Sequence, residues 1–378
     1  MGVVDQVVTN THSDLSKRAK EDLVSLVSKV DDRLKVFFDK EIQNPFGQSE
    51  VIREMSKKIW EHMREHNLRP AKRLRASFIY YGYKLFGGDN EDVALDASMS
   101  IELIHTGLLM HDDFMDQDEI RRGEPTTHKY FEKWHKDNSW SSDAKLYGES
   151  MAVNVGDMAL LAGYEVLNDL SIEDNNRRNA MRKLLRGVIN TGIGQAYDVT
   201  LQAIGVAKDE DIINLHVGKT GIYTYETPLM VGALLAGAKL EDLDLLHEYS
   251  MAGGVAFQIQ DDILGIFGKP EVTGKSDNSD LKQKKVTLLS SYVLNNANEM
   301  DKKRFLELWG KRDLSENEAA LCREIIVRSG SLQYSRDMAG KMAQKALEVV
   351  PSMRQKGLNH EAISYLEGIA LYMVERDL

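Results

Sequence analysis

The chain has 378 residues, with 48 Lys+Arg against 59 Asp+Glu and a net charge of −11 at pH 7. That sign disfavours a protein that wraps nucleic acid non-specifically. Only six prolines occur, well below the usual ~5%, and the proline-free stretches 126–227 and 271–350 point to long helices. The single cysteine, Cys322, cannot close an internal disulfide and reads as a packed residue, which fits a reducing, cytoplasmic setting. No apolar run reaches the ~18 residues that span a bilayer. The segment Met1 to Asp14 lacks the charged-then-apolar order of a signal peptide.

In chain order, residues 15–42 place Leu23, Val24, Val27, Val30, Leu34, Phe37 and Phe38 at helical spacing, and Asn44-Pro45-Phe46-Gly47 ends that helix. A second helix is expected over 48–66 and a third over 71–86, closed by Gly87-Gly88. A long apolar-periodic segment follows from Glu91 to about Glu119, with Gly107 inside it. The polar, turn-rich stretch 132–147 reads as a surface insertion. Beyond it, 149–170, 176–205, 208–218, 222–238, 241–266, 287–299, 301–310, 315–329, 333–350 and 358–375 all favour helix. With no composition shift and no fixed-period repeat, one all-α domain over 1–378 is expected, a single large helical bundle with residues 1–40 as an N-terminal helical extension.

Chemistry first appears at His111-Asp112-Asp113-Phe114-Met115-Asp116. On a helix, Asp112 and Asp116 stand four residues apart on one face with Asp113 beside them. Three uncompensated carboxylates repel, and a hard divalent cation such as Mg²⁺, held by carboxylates and substrate phosphates, would offset that cost. The approach to this cluster is apolar (Ile101, Leu103, Ile104, Leu108, Leu109, Met110), which suits a substrate with an ionic head and a hydrocarbon tail. A second acidic pair, in Phe257-Gln258-Ile259-Gln260-Asp261-Asp262, also ends an apolar helix, with Gly265 in its third position. Two such pairs would grip a metal–diphosphate from opposite sides. Asp31-Asp32, flanked by Arg33 and Lys35 and lacking an apolar approach, reads as surface.

Three basic groups could hold phosphate: Arg69-Pro70-Ala71-Lys72-Arg73-Leu74-Arg75, Arg121-Arg122-Gly123, and Gly274-Lys275 with Lys284-Lys285. Together with Lys219-Thr220-Gly221, this ordered set of motifs resembles the trans-isoprenyl diphosphate synthases (polyprenyl synthetases) over roughly residues 40–375. The resemblance implies an isoprenoid-synthase bundle with a central active-site cavity, acting as a homodimer. It implies that Asp112, Asp113 and Asp116 bind Mg²⁺ bridging an allylic diphosphate (dimethylallyl, geranyl or farnesyl), and that Asp261 and Asp262 hold further Mg²⁺, two or three ions in all. Arg121, Lys219 and Lys275 would contact the same diphosphate, with Thr220 and Gln258 beside the reacting carbons. Lys72, Arg75, His105 and Arg122 would bind isopentenyl diphosphate, and Lys285 would help close the site.

Three departures from the family pattern stand out. Pro70-Ala71 replaces the frequent Gly-Gly before Lys72, Lys284 replaces a glycine, and Gly265 replaces the third aspartate of the second motif, where a water could serve as ligand. In the family, residues one to three turns before the first motif set product length. Here they are Leu108, Gly107, Ile104 and Ile101, with no aromatic in the first turn, so geranylgeranyl diphosphate is expected. The alternatives are a farnesyl or longer-chain synthase, or a non-catalytic partner subunit of a heteromeric prenyl synthase, although such subunits tend to lose an aspartate motif. A terpene cyclase would not need Lys72, Arg75 and His105.

Overall fold

The structure, a computed structural model, describes residues 3–205, 207–268 and 278–374. Helix α1 (Val3–Gln43) buries Ala19, Leu23, Leu26, Val30, Leu34 and Phe38, a stripe at three- and four-residue spacing. It lies along the final helix, α16 (His360–Val374), and against α2 (Glu50–Leu68). The N-terminal helix is thereby part of the main core. Helix α3 (Leu74–Leu85) leads to α4 (Glu91–Met115), capped by Asn90, whose side chain accepts from the Val93 amide at 3.3 Å. By length and composition α4 could cross a membrane, contrary to the sequence expectation, but 78% of its apolar window is buried inside the protein, so it serves as a core helix.

A two-strand hairpin, β1 (Ile120–Arg121) and β2 (Glu124–Pro125), follows. Arg122 at φ +54° and Gly123 at φ +83° form its turn, a conformation in which both central residues take positive φ. The stretch expected as a surface insertion is mostly exposed, and it is also ordered. Helix α5 (Thr127–Asp137) runs into it, and Trp140 packs at 5.1 Å from the Trp134 ring and 5.3 Å from Tyr147. The polar composition hid an aromatic cluster that pins α5 to α6 (Ala144–Asn168).

Helices α4 and α6 cross closely at Gly107. A Cβ there would lie 2.5 Å from the Gly156 carbonyl oxygen. Helix α7 (Asp174–Ile204) is followed by α8 (Asp209–His216), a π-helical stretch over Val217–Glu226, and α9 (Thr227–Leu235). The sequence suggested a break between 218 and 222; the chain instead stays helical through it by widening its turns. Helix α10 (Asp244–Phe267) then spans the molecule. Its Leu246 and Tyr249 belong to the larger core with Phe78, Ile101, Leu229 and Leu366, and its Val255, Ile259 and Ile263 to a smaller core with Val293, Phe305, Cys322 and Ile325. After one turn, α11 (Ser279–Lys282), the helices α12 (Leu288–Asn296), α13 (Glu299–Leu308), α14 (Glu316–Arg328) and α15 (Ser331–Gln355) complete the all-α fold.

Candidate active site

Asp112, Asp113 and Asp116 close the last turn of α4, and the hairpin, α7 and the π stretch meet them there. Their neighbours distinguish the three. Asp113 is fully buried and accepts a hydrogen bond from Arg121 Nε, with the His66 ring 4.0 Å from its other oxygen. Its carboxylate is turned into the protein, where it anchors the hairpin arginine. Its Oδ2 has no hydrogen-bond partner among the described residues, and the same guanidinium also approaches Asp112. Asp112 lies 3.8 Å from Arg121 Nη2 and 3.8 Å from Lys219 Nζ. Burial, followed by repulsion from Asp112, pushes the Asp116 carboxyl up to about 7.

The π stretch carries Lys219 and Thr220. Such widened turns displace side chains from the regular helical positions and recur at functional sites. Lys219 Nζ donates to Asp198 Oδ2 at 2.8 Å, on α7, and reaches Asp112 from there. Burial lowers the Lys219 pKa, but the charges of Asp112 and Asp198 outweigh it and hold the ammonium above its ordinary range. Opposite, the π stretch presses on α10 so closely that a Cβ on Gly254 would stand 2.4 Å from the Gly221 Cα. This contact sets Thr220 to donate to Gln258 Oε1.

On α10, Gln258 Nε2 donates to Asp262 at 3.0 Å, Lys285 Nζ lies 3.3 Å from the same oxygen, and His216 Nε2 lies 3.1 Å from the other. Burial opposes ionisation of Asp262, yet the charge of Lys285 and the His216 contact hold its carboxyl well below the usual range. Asp261, on the same turn, is partly exposed. Gly265 also has a reason: a Cβ there would meet Asp280 Oδ2 at 2.1 Å, so the buried Asp280 carboxylate occupies the space of the absent third side chain. Lys284 stands in a left-handed conformation at φ +57°, which glycine adopts more easily, and lies over the Trp309 ring at 5.4 Å. Lys275 lies outside the described residues.

A separate cationic group sits beside α4. Arg75 donates to Thr224 Oγ1 at 2.7 Å, and its Nη1 lies 3.1 Å from His105 Nε2. Burial, then the Arg75 charge, hold the imidazole well below its ordinary range, so it is neutral and accepts at Nε2. Arg75 Nε and His105 Nδ1 have no hydrogen-bond partner among the described residues. Burial, with Arg73 and Arg121 nearby, lowers Arg122 to about 10. Lys72 is exposed. Arg69 and Arg73, from the same basic run, are structural: Arg69 binds Glu65 and the carbonyls of Arg121 and Pro125. Asp198 and His216 were not found in the sequence. A single acid and a single histidine on helices of mixed composition carry no pattern, and only the spacing of His216 three residues before Lys219 hinted at its direction.

The model of the family described as "Polyprenyl synthetase" matches residues 57–326. The chain belongs to the polyprenyl synthetase family. Among its relatives, the geranylfarnesyl diphosphate synthase of Aeropyrum pernix is 33% identical over 81% of this chain and 90% of its own length. The geranylgeranyl diphosphate synthase of Saccharolobus solfataricus is 31% identical over 81% of this chain and 86% of its own. The crystal structure of geranylgeranyl pyrophosphate synthase from Corynebacterium glutamicum, complexed with isoprenyl diphosphate and magnesium, superposes with a TM-score of 0.86 at 27% identity, covering 93% of this chain and 99% of that one. This polyprenyl synthetase is thus a prenyltransferase enzyme on an all-α scaffold. The two named relatives make products of different length, so membership alone does not fix the product.

Proposed function

We propose that this polyprenyl synthetase condenses isopentenyl diphosphate with an allylic diphosphate, with Mg²⁺, to make geranylgeranyl diphosphate. The observation that carries the reading is the charge arrangement: an under-neutralised acidic pair, Asp112 and Asp116, at the end of α4, a second acidic pair with the partly exposed Asp261 on α10, and a separate group of Arg75 and Arg122 with the neutral His105. Among the described residues, no three acidic or imidazole side chains cage an ion by themselves. That suits Mg²⁺, which takes one or two carboxylates and completes its shell with water and substrate phosphates. The crowding that raises Asp116 supports the fit, since a cation there removes the repulsion.

Asp112 and Asp116, with Asp261 of α10, would hold the metal, which would supply positive charge to the allylic diphosphate as a leaving group. Lys219 and Arg121 point at the same space and bind that diphosphate. Arg75 Nε and His105 Nδ1, unpartnered donors beside Arg122 and Lys72, bind the second diphosphate and set the double bond of isopentenyl diphosphate in line. As the allylic C–O bond breaks, the Thr220 and Gln258 oxygens face the developing cation, and the released diphosphate takes the proton after the new C–C bond forms. Lys275 is proposed for the allylic diphosphate on the resemblance alone, and Lys285, paired with Asp262, for closing the site.

Product length rests on the aliphatic wall of Ile101 and Ile104, both fully buried, with Leu108 nearer the site. Gly107 lies in the same stretch, and it also lets the α6 backbone approach closely. The same reading takes the protein as a homodimer: Leu185, Ile189 and Ile193 form an exposed four-residue-spaced stripe on α7, with Leu161 exposed on α6. Sedimentation tests the dimer. The main test incubates the protein with labelled isopentenyl diphosphate and primers of increasing length, with Mg²⁺ or chelator. A Mg²⁺-dependent twenty-carbon product supports the proposal; no product from folded protein would favour the partner-subunit reading.

A further inference from the structure

Asp31 was read from sequence as half of a surface pair, and its neighbour Asp32 fits that reading, held only by the exposed Lys35 at 2.8 Å. Asp31 does not. Its Oδ1 accepts from Arg73 Nε at 3.0 Å and lies 2.9 Å from Nη2. The Arg73 side chain is only 2% exposed, and its remaining donors go to Glu102 Oε2 at 2.9 Å and to the Asn67 carbonyl oxygen. Glu102, on α4, also accepts from the Ala76 amide in the first turn of α3. Asn67, at the end of α2, returns a hydrogen bond to Thr106 Oγ1 at 2.7 Å. One guanidinium therefore ties α1, α2, α3 and α4 together.

What it holds is a strained loop. Arg73 sits at φ +50°, a left-handed conformation costly for a residue with a side chain, at the N-terminus of α3. The residue before it is Lys72 and the second after it is Arg75. With Pro70-Ala71 in the loop rather than glycines, the backbone has few other ways to present both cations, so the guanidinium fixes them. Its planar fork matches two carboxylates at once, which an ammonium could not do. We propose that Asp31, on the N-terminal helix, is a positioning residue for the isopentenyl diphosphate subsite, holding Arg73 so that Lys72 and Arg75 converge on one diphosphate. The inference rests on the reading of that subsite given above.

The test is steady-state kinetics with each substrate varied in turn, on Asp31→Ala, Asp31→Asn and Arg75→Ala. Both Asp31 variants should raise KM for isopentenyl diphosphate, by between about 10- and 100-fold for alanine, with KM for the allylic substrate and kcat unchanged. Asparagine, which keeps an oxygen acceptor without the charge, should raise it less, and it serves as the readout if the alanine variant folds poorly. A lower melting temperature with both KM values unchanged would make Asp31 merely structural and overturn the proposal. So would an equal rise in both KM values. If Arg75→Ala leaves KM for isopentenyl diphosphate unchanged, the subsite reading itself fails, and the inference falls with it.

Discussion

The two acidic helix ends look alike in sequence and differ in what the protein has already done for them. At the end of α4, Asp112 and Asp116 crowd one another, and of these two Lys219 and Arg121 form ion pairs with Asp112 alone, both at 3.8 Å. At the end of α10, Asp262 is met by Lys285, His216 and Gln258 at 3.0–3.3 Å. One carboxyl is pushed up to about 7 and the other held well below the usual range. A short acidic motif thus contains two kinds of carboxylate: those left under-neutralised, and those matched by partners that the protein itself supplies. Asp262 is of the second kind and Asp112 and Asp116 of the first; Asp113 stands between them, since Arg121 pairs with its Oδ1 while burial raises its carboxyl and Oδ2 has no partner among the described residues.

The largest expected effect tests the first kind. Asp112→Ala and Asp261→Ala should each cut turnover by about 10²–10³, with circular dichroism and melting unchanged or, for Asp112, improved, since repulsion is relieved. Asp262→Ala should instead lose turnover and stability together, by about 3 kcal/mol in a urea titration, because Lys285 is left buried beside Asp280 with one counter-charge fewer. If Asp262→Ala were as stable as wild type while Asp112→Ala unfolded, the contrast would be reversed. Gly107→Ala, pushing α4 off the Gly156 carbonyl, should cost about 1–3 kcal/mol by the same titration.

A smaller effect lies in pH dependence. With its folded pKa about 7, Asp116 binds its proton more tightly folded than unfolded, where a carboxyl titrates near ~4. Stability of the metal-free protein therefore falls as pH rises between those values. Asp116→Asn should flatten that slope in a melting series, as should Mg²⁺; an unchanged slope would remove the crowding argument. Asp262 has the opposite sign: its contribution is present above the unfolded value and is lost as pH falls toward its depressed folded pKa. The smallest effect is Asp32→Ala, which should leave melting temperature and both KM values unchanged, in contrast to Asp31.

Much of this was legible in the sequence because helices announce themselves locally. The helical spacing of Leu23, Val30, Leu34 and Phe38, the breaker at Asn44-Pro45 and the apolar approach to Asp112 each depend on residues within a turn or two of one another, although Val24, counted in the same stripe, is exposed. The paired aspartates, the basic runs and Lys219-Thr220 were legible for the same reason. Asp198 and His216 were not, since each is a single polar residue whose meaning comes from a partner on another helix. The aromatic cluster around Trp140 was hidden by polar neighbours, and Asp31 by its twin.

The sequence by itself determined which segments are helical, that they form one all-α family, and which residue types the chemistry has to draw on, since spacing along a helix maps directly onto a face. Only the tertiary structure decided which carboxylates are buried and paired and which stay partly exposed, that Gly107 and Gly265 make room for a backbone and a carboxylate, and that a helix at the N-terminus reaches the loop that carries Lys72 and Arg73. Those outcomes depend on charge neutralisation and close packing between elements far apart in the chain, and neither leaves a pattern in the local order of residues.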